Sequence, residues 1–161
     1  MFGAGDPCAD LMIIGEAPGD KEDRFGEPFV GAAGNMLTKM IENVLLIPRS
    51  SVYVCNALKC RPPENRDPMP HEIEACRPFL MDQIRVVAPR IILLMGSHAV
   101  RAALEIPDGV TRARGRSYVL DGIETYVTYH PAHVLYQPSD KLKVFEDLCQ
   151  VRDRLPNKVD I

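Results

Sequence analysis

The chain has 161 residues, of which 46% are hydrophobic and 25% charged, and its formal net charge is −3. This size favours one domain with a packed core, and the acidic balance is atypical of proteins that coat a nucleic acid duplex along its length. No apolar run approaches the roughly 20 residues needed to cross a bilayer, and the first ten residues do not resemble a signal peptide. We therefore expect a cytoplasmic protein without a membrane partner. We also expect a monomer with a single domain over residues 1–161.

Basic residues nevertheless concentrate in two stretches of the chain. They are Lys59, Arg61 and Arg66 in the first, and Arg112, Arg114 and Arg116 in the second. An enzyme that grips one short stretch of nucleic acid needs only a local positive face. Two solvated loops are the alternative explanation.

Predicted strands and helices alternate along the chain. Short apolar runs, several rich in β-branched residues, lie at residues 11–14, 52–55, 91–95 and 123–129, as in buried parallel strands. Helical apolar spacing occupies residues 33–46, 71–87, 97–104 and, after a capping serine or aspartate, 139–155. This order predicts an α/β fold with a parallel sheet covered on both faces.

Ligands of such sheets bind beyond the carboxyl ends of the strands, where three runs end in polar or glycine-rich residues. The turn at residues 15–19 is flanked by glycines, and its N–H groups can face an anion. Asn56 carries an amide that donates and accepts, matching the pairing edge of a pyrimidine. His130 can donate to an oxygen that gains negative charge, and Phe29, in a glycine- and proline-bracketed loop, can stack on a base. Each residue also has a purely structural explanation, as a connection, a backbone partner or a loop anchor.

Three longer segments resemble one known family. The segment GEAPGDKEDRFGEPFVGAAG, residues 15–34, resembles the first signature of the family-four uracil-DNA glycosylases, the thermostable iron–sulfur type. NALKCRPPENRDP, residues 56–68, resembles the second signature, and HPAHVL, residues 130–135, resembles the loop that enters the DNA groove. The resemblance implies a three-layer α/β/α sandwich around a four-stranded parallel sheet. It also implies an enzyme that flips uracil out of single- or double-stranded DNA and hydrolyses its N-glycosidic bond, leaving an abasic site for base excision repair.

The same resemblance assigns roles to individual residues of the pocket. Phe29 is expected to stack on the flipped uracil, and Asn56 to hydrogen-bond its pairing edge. The backbone of Ala17 is expected to help hold the uracil oxygens, and His130 to stabilise the negative charge on O2.

Further residues are expected to act on the sugar and on the DNA. Glu16 and Glu22 match acidic positions of the first signature. One of these two carboxylates is expected to position water or to stabilise the sugar cation, and the sequence leaves open which of them does so. Arg61 is expected to contact DNA, and Val134 and Leu135 to form the wedge that enters the duplex.

The family also implies a [4Fe-4S] cluster, for which this sequence offers an incomplete ligand set. Cys60 and Cys76 match two ligands, but the CxxC pair that precedes the first strand in the family is absent here, and Cys8 does not replace it. We therefore expect a cluster that is absent or incomplete. Truncation or a misassigned start, natural loss, and a cluster shared between chains are the alternatives.

Two other functions remain compatible with parts of the sequence. A module that recognises DNA without cutting it would account for the missing cysteines, although Phe29, Asn56 and His130 argue against it. A nucleotide- or flavin-binding domain would account for the first glycine-rich turn. It would leave Asn56 and the HPA segment unexplained, and no GxGxxG follows the first strand.

Overall fold

The computed structural model describes residues 1–156, so the predicted domain of residues 1–161 extends five residues past the described part. Within residues 1–156, six strands form one mixed sheet in the order β1-β3-β2-β4-β6-β5. Their bounds are β1 Ala4–Gly5, β2 Leu11–Gly15, β3 Tyr53–Asn56, β4 Ile91–Met95, β5 Ser117–Leu120 and β6 Ile123–Thr128. The inner strands β3, β2, β4 and β6 are parallel, as expected, and the edge strands β1 and β5 are antiparallel to their neighbours. The α/β class is confirmed, and the expected number of four strands is wrong.

Helices cover both faces of the sheet. They are α1 Asp20–Phe25, α2 Ala32–Met40, α3 Pro70–Val87, α4 Ser97–Leu104, α5 Val110–Ala113, α6 Pro131–Tyr136 and α7 Lys141–Arg154. The helix α2 continues into a π-helical turn at Ile41–Leu45. None of the helices formed by residues 1–156 combines the length and apolar character that a membrane crossing needs.

Two hydrophobic cores lie on opposite faces of the sheet because successive side chains of a strand point in opposite directions. In β2, Ile13 belongs to the core beneath α2 and α7, whereas Met12 and Ile14 belong to the core beneath α3 and α4. Both alternating sets must therefore be apolar, which explains why β2 and β4 appear as unbroken apolar runs. The three-layer α/β/α arrangement follows from this packing.

The parallel strands end together at one edge of the sheet. Gly15 pairs with Asn56 at the ends of β2 and β3, and the pairing continues through hydrogen bonds from Ala57 N–H to the Gly15 carbonyl at 2.9 Å and from Leu58 N–H to the Glu16 carbonyl at 3.0 Å. The strand β6 ends two residues before His130. All three predicted strand ends therefore lie at the same edge.

Candidate active site

A cavity of about 160 Å³ opens at the carboxyl edge of the sheet. It is lined by Ala17, Gly19, Glu22, Phe29, Ala33, Asn56 and His130. The structure thus brings together the residues that the three signatures placed in the pocket, although they come from separate parts of the chain. Gly19 belongs to the glycine-flanked turn expected to face a ligand, whereas Ala33 was not predicted, although it lies within the first signature.

The side chains of Phe29 and Asn56 meet over Gly15. A β-carbon at Gly15 would lie 2.5 Å from Cζ of Phe29 and 2.6 Å from Oδ1 of Asn56, closer than real β-carbons come to other atoms. Both side chains are nearly inaccessible, with exposed fractions of 5% for Phe29 and 4% for Asn56. Gly15 is therefore required for the aromatic ring and the amide to face the same space.

Phe29 adopts a conformation that is uncommon for a residue with a side chain. Its φ is 56°, in the left-handed region. Its ring is stacked against the imidazole of His130, with centroids 5.4 Å apart and an interplanar angle of 24°. A β-carbon at Gly34 would lie 1.8 Å from the Phe29 carbonyl oxygen, so the first turn of α2 packs directly against this backbone.

His130 precedes α6 and is held as a neutral imidazole. Its Nδ1 accepts a hydrogen bond from the N–H of Ala132 at 3.1 Å, which requires an unprotonated Nδ1. Burial lowers the pKa of His130, and the negative charges of Glu16 and Glu22 oppose this effect without overcoming it. The remaining ring proton is then on Nε2, which is free to donate to a ligand.

The two acidic residues of the first signature occupy different positions. Glu22 lines the cavity, and its carboxylate accepts a hydrogen bond from the N–H of Gly19 at 3.2 Å. Glu16 does not line this cavity; its Oε2 accepts the N–H of His98 at 2.8 Å, in the first turn of α4. Of the two carboxylates, Glu22 is the one placed to meet a bound ligand.

Several basic residues of the two stretches are already paired within the fold, whereas Arg66, Arg112 and Arg116 remain exposed. Lys59 is buried, and its ammonium donates to the Asn56 carbonyl at 2.7 Å and to the side-chain amide oxygen of Gln83. Burial lowers the pKa of Lys59. Arg61, expected to contact DNA, forms an ion pair with Asp20 at 3.1 Å. In the second basic stretch, the middle residue Arg114 is paired in the same way, with the buried carboxylate of Asp147 at 2.9 Å.

The two residues expected to form the wedge differ in exposure. Leu135 is 43% exposed, but Val134 is only 1% exposed and belongs to the hydrophobic core. The expectation that Val134 enters the duplex is therefore wrong, because the short helix α6 turns this side chain toward the sheet. Tyr136 is the next residue and is largely exposed.

Cys60 and Cys76 both lie beside Lys59, shortly after β3. The N–H of Lys59 contacts Sγ of Cys76 at 3.5 Å, and Cys60 is the next residue along the chain. Cys55 is not available as a thiolate, since burial raises its pKa to about 11. Residues 1–156 contain no group of three or more His, Cys, Asp or Glu side chains arranged to hold a metal ion. This part of the chain therefore supplies two thiols at this place and not the four that a [4Fe-4S] cluster requires.

Comparison with known proteins places the chain in a family. The model of the uracil DNA glycosylase superfamily matches residues 2–150. A type-4 uracil-DNA glycosylase of Sulfurisphaera tokodaii is 43% identical over 159 residues, covering 94% of this chain and 72% of that protein. The type-4 enzyme of Saccharolobus solfataricus is 40% identical, and the match covers 97% of this chain and 76% of that protein. The one of Archaeoglobus fulgidus is 41% identical, and the match covers 84% of this chain and 72% of that protein. The chain therefore belongs to the uracil-DNA glycosylase superfamily, and within it to the type-4 family.

Proposed function

We propose that this chain removes uracil from DNA by hydrolysing the bond between the base and its deoxyribose. The observation that carries the proposal is the cavity in which Phe29, Asn56, a neutral His130 and Glu22 face the same space. The chain's similarity to proteins named type-4 uracil-DNA glycosylase supports the same substrate.

Recognition of the base is assigned to Asn56 and Phe29. The amide of Asn56 can accept from uracil N3–H and donate to O4, whereas cytosine presents the opposite groups on this edge. A buried site built for one hydrogen-bond pattern disfavours the other because groups would be left unpaired. The ring of Phe29 supplies a face on which the base stacks.

Bond cleavage is assigned to His130 and Glu22. As the C1′–N1 bond breaks, negative charge grows on uracil O2 and positive charge on the sugar. The Nε2–H of His130 stabilises the first charge, and the carboxylate of Glu22 stabilises the second or orients the attacking water. The water oxygen bonds to C1′ and releases a proton to solvent, and the departing uracil anion takes up a proton.

Access to a base in duplex DNA requires that the base leave the helix, which costs a few kcal/mol. We assign the wedge that offsets this cost to Leu135, the exposed residue of the HPAHVL segment. Cys60 and Cys76 are proposed as this chain's contribution to the cluster that the family implies. Because the described residues do not complete its ligand set, no step of the reaction is assigned to it.

The test is single-turnover cleavage of an end-labelled oligonucleotide containing one uracil, followed by alkali and a denaturing gel. The wild-type chain should cut at the uracil and leave matched cytosine and thymine strands intact. Asn56→Asp should lose most uracil cleavage, because its carboxylate no longer donates to O4. An inactive but folded wild-type chain, or a wild-type rate in Asn56→Asp, would contradict the proposal.

A further inference from the structure

We propose that Arg49 is a positioning residue for the base-stacking platform, holding Phe29 in the conformation that presents its ring to the cavity. This inference rests on the proposed function, since it concerns the same uracil pocket. The guanidinium of Arg49 donates to Gly34 O at 3.0 Å, Thr38 Oγ1 at 2.6 Å, Pro28 O at 3.3 Å and Phe29 O at 3.1 Å.

These four hydrogen bonds surround the loop that carries Phe29. Nη2 donates to the carbonyls of Pro28 and Phe29, while Nη1 donates to the carbonyl of Gly34 and the hydroxyl of Thr38 in α2. One planar group therefore connects the loop to the helix that follows it. Such a fork has a fixed geometry that a lysine ammonium does not reproduce.

The surroundings of Arg49 point to a role set by geometry. Its side chain is half-buried, and burial lowers its pKa; Glu27 and Glu42 oppose that effect from a distance. Within residues 1–156, no carboxylate lies within the 4 Å of an ion pair with this guanidinium. Its partners are three carbonyl groups and one hydroxyl, whose positions depend on the fold of the loop.

The conformation of Phe29 explains why such a support is needed. With φ at 56°, Phe29 lies in a region that residues with a β-carbon adopt at a cost. This conformation places its carbonyl oxygen against Gly34 and within reach of Arg49. Without the guanidinium, the Pro28 and Phe29 carbonyls lose donors in a partly buried place, and the extended conformations of Phe29 become competitive. The ring would then leave its position beside His130.

A double-mutant cycle separates this role from a general structural one. Arg49→Met and Arg49→Lys are made in the wild-type chain and in Phe29→Leu, and single-turnover cleavage of uracil-containing single strands is measured together with thermal unfolding. Stacking on an aromatic is worth roughly 1–3 kcal/mol, so we expect Arg49→Met to slow cleavage by about 5- to 150-fold when Phe29 is present. In the Phe29→Leu background the further loss should be less than about threefold, because the platform is already gone.

Arg49→Lys should lose nearly as much as Arg49→Met, since the fork and not the charge is required. It also keeps the test informative if the methionine variant does not fold. Arg152→Met is the matched control. Arg152 donates to the Val44 carbonyl at 3.3 Å and, within residues 1–156, has no hydrogen bond or ion pair to the Phe29 loop, so this variant should keep the wild-type rate.

Equal losses in both backgrounds, or full activity in Arg49→Lys, would overturn the role of Arg49 while leaving the proposed function intact. A folded wild-type chain that neither cleaves uracil-containing strands nor binds an uncleavable analogue would overturn both.

Discussion

Gly15 is the residue on which the geometry of the pocket depends most directly. The strand β2 could end in many residue types, but the positions of Phe29 and Asn56 leave no room for a β-carbon between them. The glycine of the first signature is thus explained by the two side chains that close over it. Its backbone φ is not in the left-handed region, so space and not conformational freedom selects it.

We predict that Gly15→Ala displaces the ring of Phe29, the amide of Asn56, or both. Cleavage of uracil-containing single strands should fall by about tenfold or more, because stacking alone is worth 1–3 kcal/mol. Gly31→Ala is the control, since a β-carbon there meets only Lys21 Cδ at an ordinary 3.5 Å and Glu22 Oε1 at 3.8 Å. If the two variants cleaved at the same rate, the close approach over Gly15 would have no functional consequence.

The lowered pKa of His130 leads to a prediction of how the cleavage rate depends on pH. Its pKa in the folded chain lies below the ordinary 6.5 because of burial, so the neutral form persists as the pH falls through 6.5. As the pH falls, the imidazole of His130 takes up a proton in the unfolded chain before it does so in the folded chain. The contribution of His130 therefore lowers the free energy of unfolding as the pH falls from 6.5 toward the pKa of the folded state. Cleavage should decline only below 6.5, where protonation of Nδ1 breaks the bond to Ala132.

The measurement is single-turnover cleavage between about pH 5 and 8, the range in which histidine titrates. His130→Asn keeps a neutral donor that does not titrate, and it should be slower at pH 8 but lack the acid decline. His130→Ala should lose on the order of 100- to 1000-fold. Its affinity for an uncleavable uracil strand should change little, because the donor acts mainly in the transition state. An acid decline of the same midpoint in His130→Asn would assign it to another group.

At the scale of elements, the sequence predicted the strands that are buried on both faces and missed those at the edges. The strands β2 and β4 were found because both of their faces require apolar residues. The strand β5 alternates exposed and covered residues over only four positions and so forms no apolar run. Its signal was the turn at Asp121 and Gly122, whose positive φ values of 47° and 78° suit a two-residue hairpin.

The pocket was predictable from the sequence to a greater extent than the DNA-facing surface. Pocket residues follow buried parallel strands or lie in long signatures. The sheet brings the carboxyl ends of these strands together independently of which residues lie on the surface. The fate of Lys59 and Arg61 was not predictable, since it depends on Gln83 and Asp20, distant partners that only the fold brings near. Val134 was misplaced because residue spacing does not reveal which side of a six-residue helix meets the core.

The helix α6 yields a prediction about duplex DNA. Leu135→Ala should slow cleavage of uracil in a duplex more than in a single strand, because only the duplex carries the few-kcal/mol cost of extruding the base. Val134→Ala is the control from the same helix. It should lower the melting temperature by leaving a cavity in the core, without changing the ratio of duplex to single-strand rates. Equal ratios in the two variants would show that Leu135 is not the wedge.

At the scale of the whole molecule, the amino-terminal residues pack beside the two proposed cluster ligands. The terminal ammonium of Met1 donates to the Lys59 carbonyl at 2.7 Å, and the amide of Gln83 donates to the Phe2 carbonyl at 2.8 Å. Since Cys60 follows Lys59 directly, residues attached ahead of Met1 would begin next to this thiol. Ligands supplied from that side would therefore begin beside Lys59, whose N–H contacts Sγ of Cys76 and which Cys60 follows directly.

This geometry leads to a prediction about iron. After anaerobic reconstitution a protein of residues 1–161 should hold far fewer than the four irons of a complete cluster, because within residues 1–156 only Cys60 and Cys76 lie at the proposed site. Fusing a CxxC-bearing segment ahead of Met1 should increase the bound iron and acid-labile sulfide, and should raise the melting temperature, because metal ligation contributes directly to folding free energy. Replacing Cys60 by serine in the fusion should abolish that gain, whereas replacing the exposed Cys8 should not.

Two results would contradict this prediction. About four irons bound by the unfused chain would show that two further ligands come from elsewhere. A fusion that stays iron-free would show that Cys60 and Cys76 are not cluster ligands.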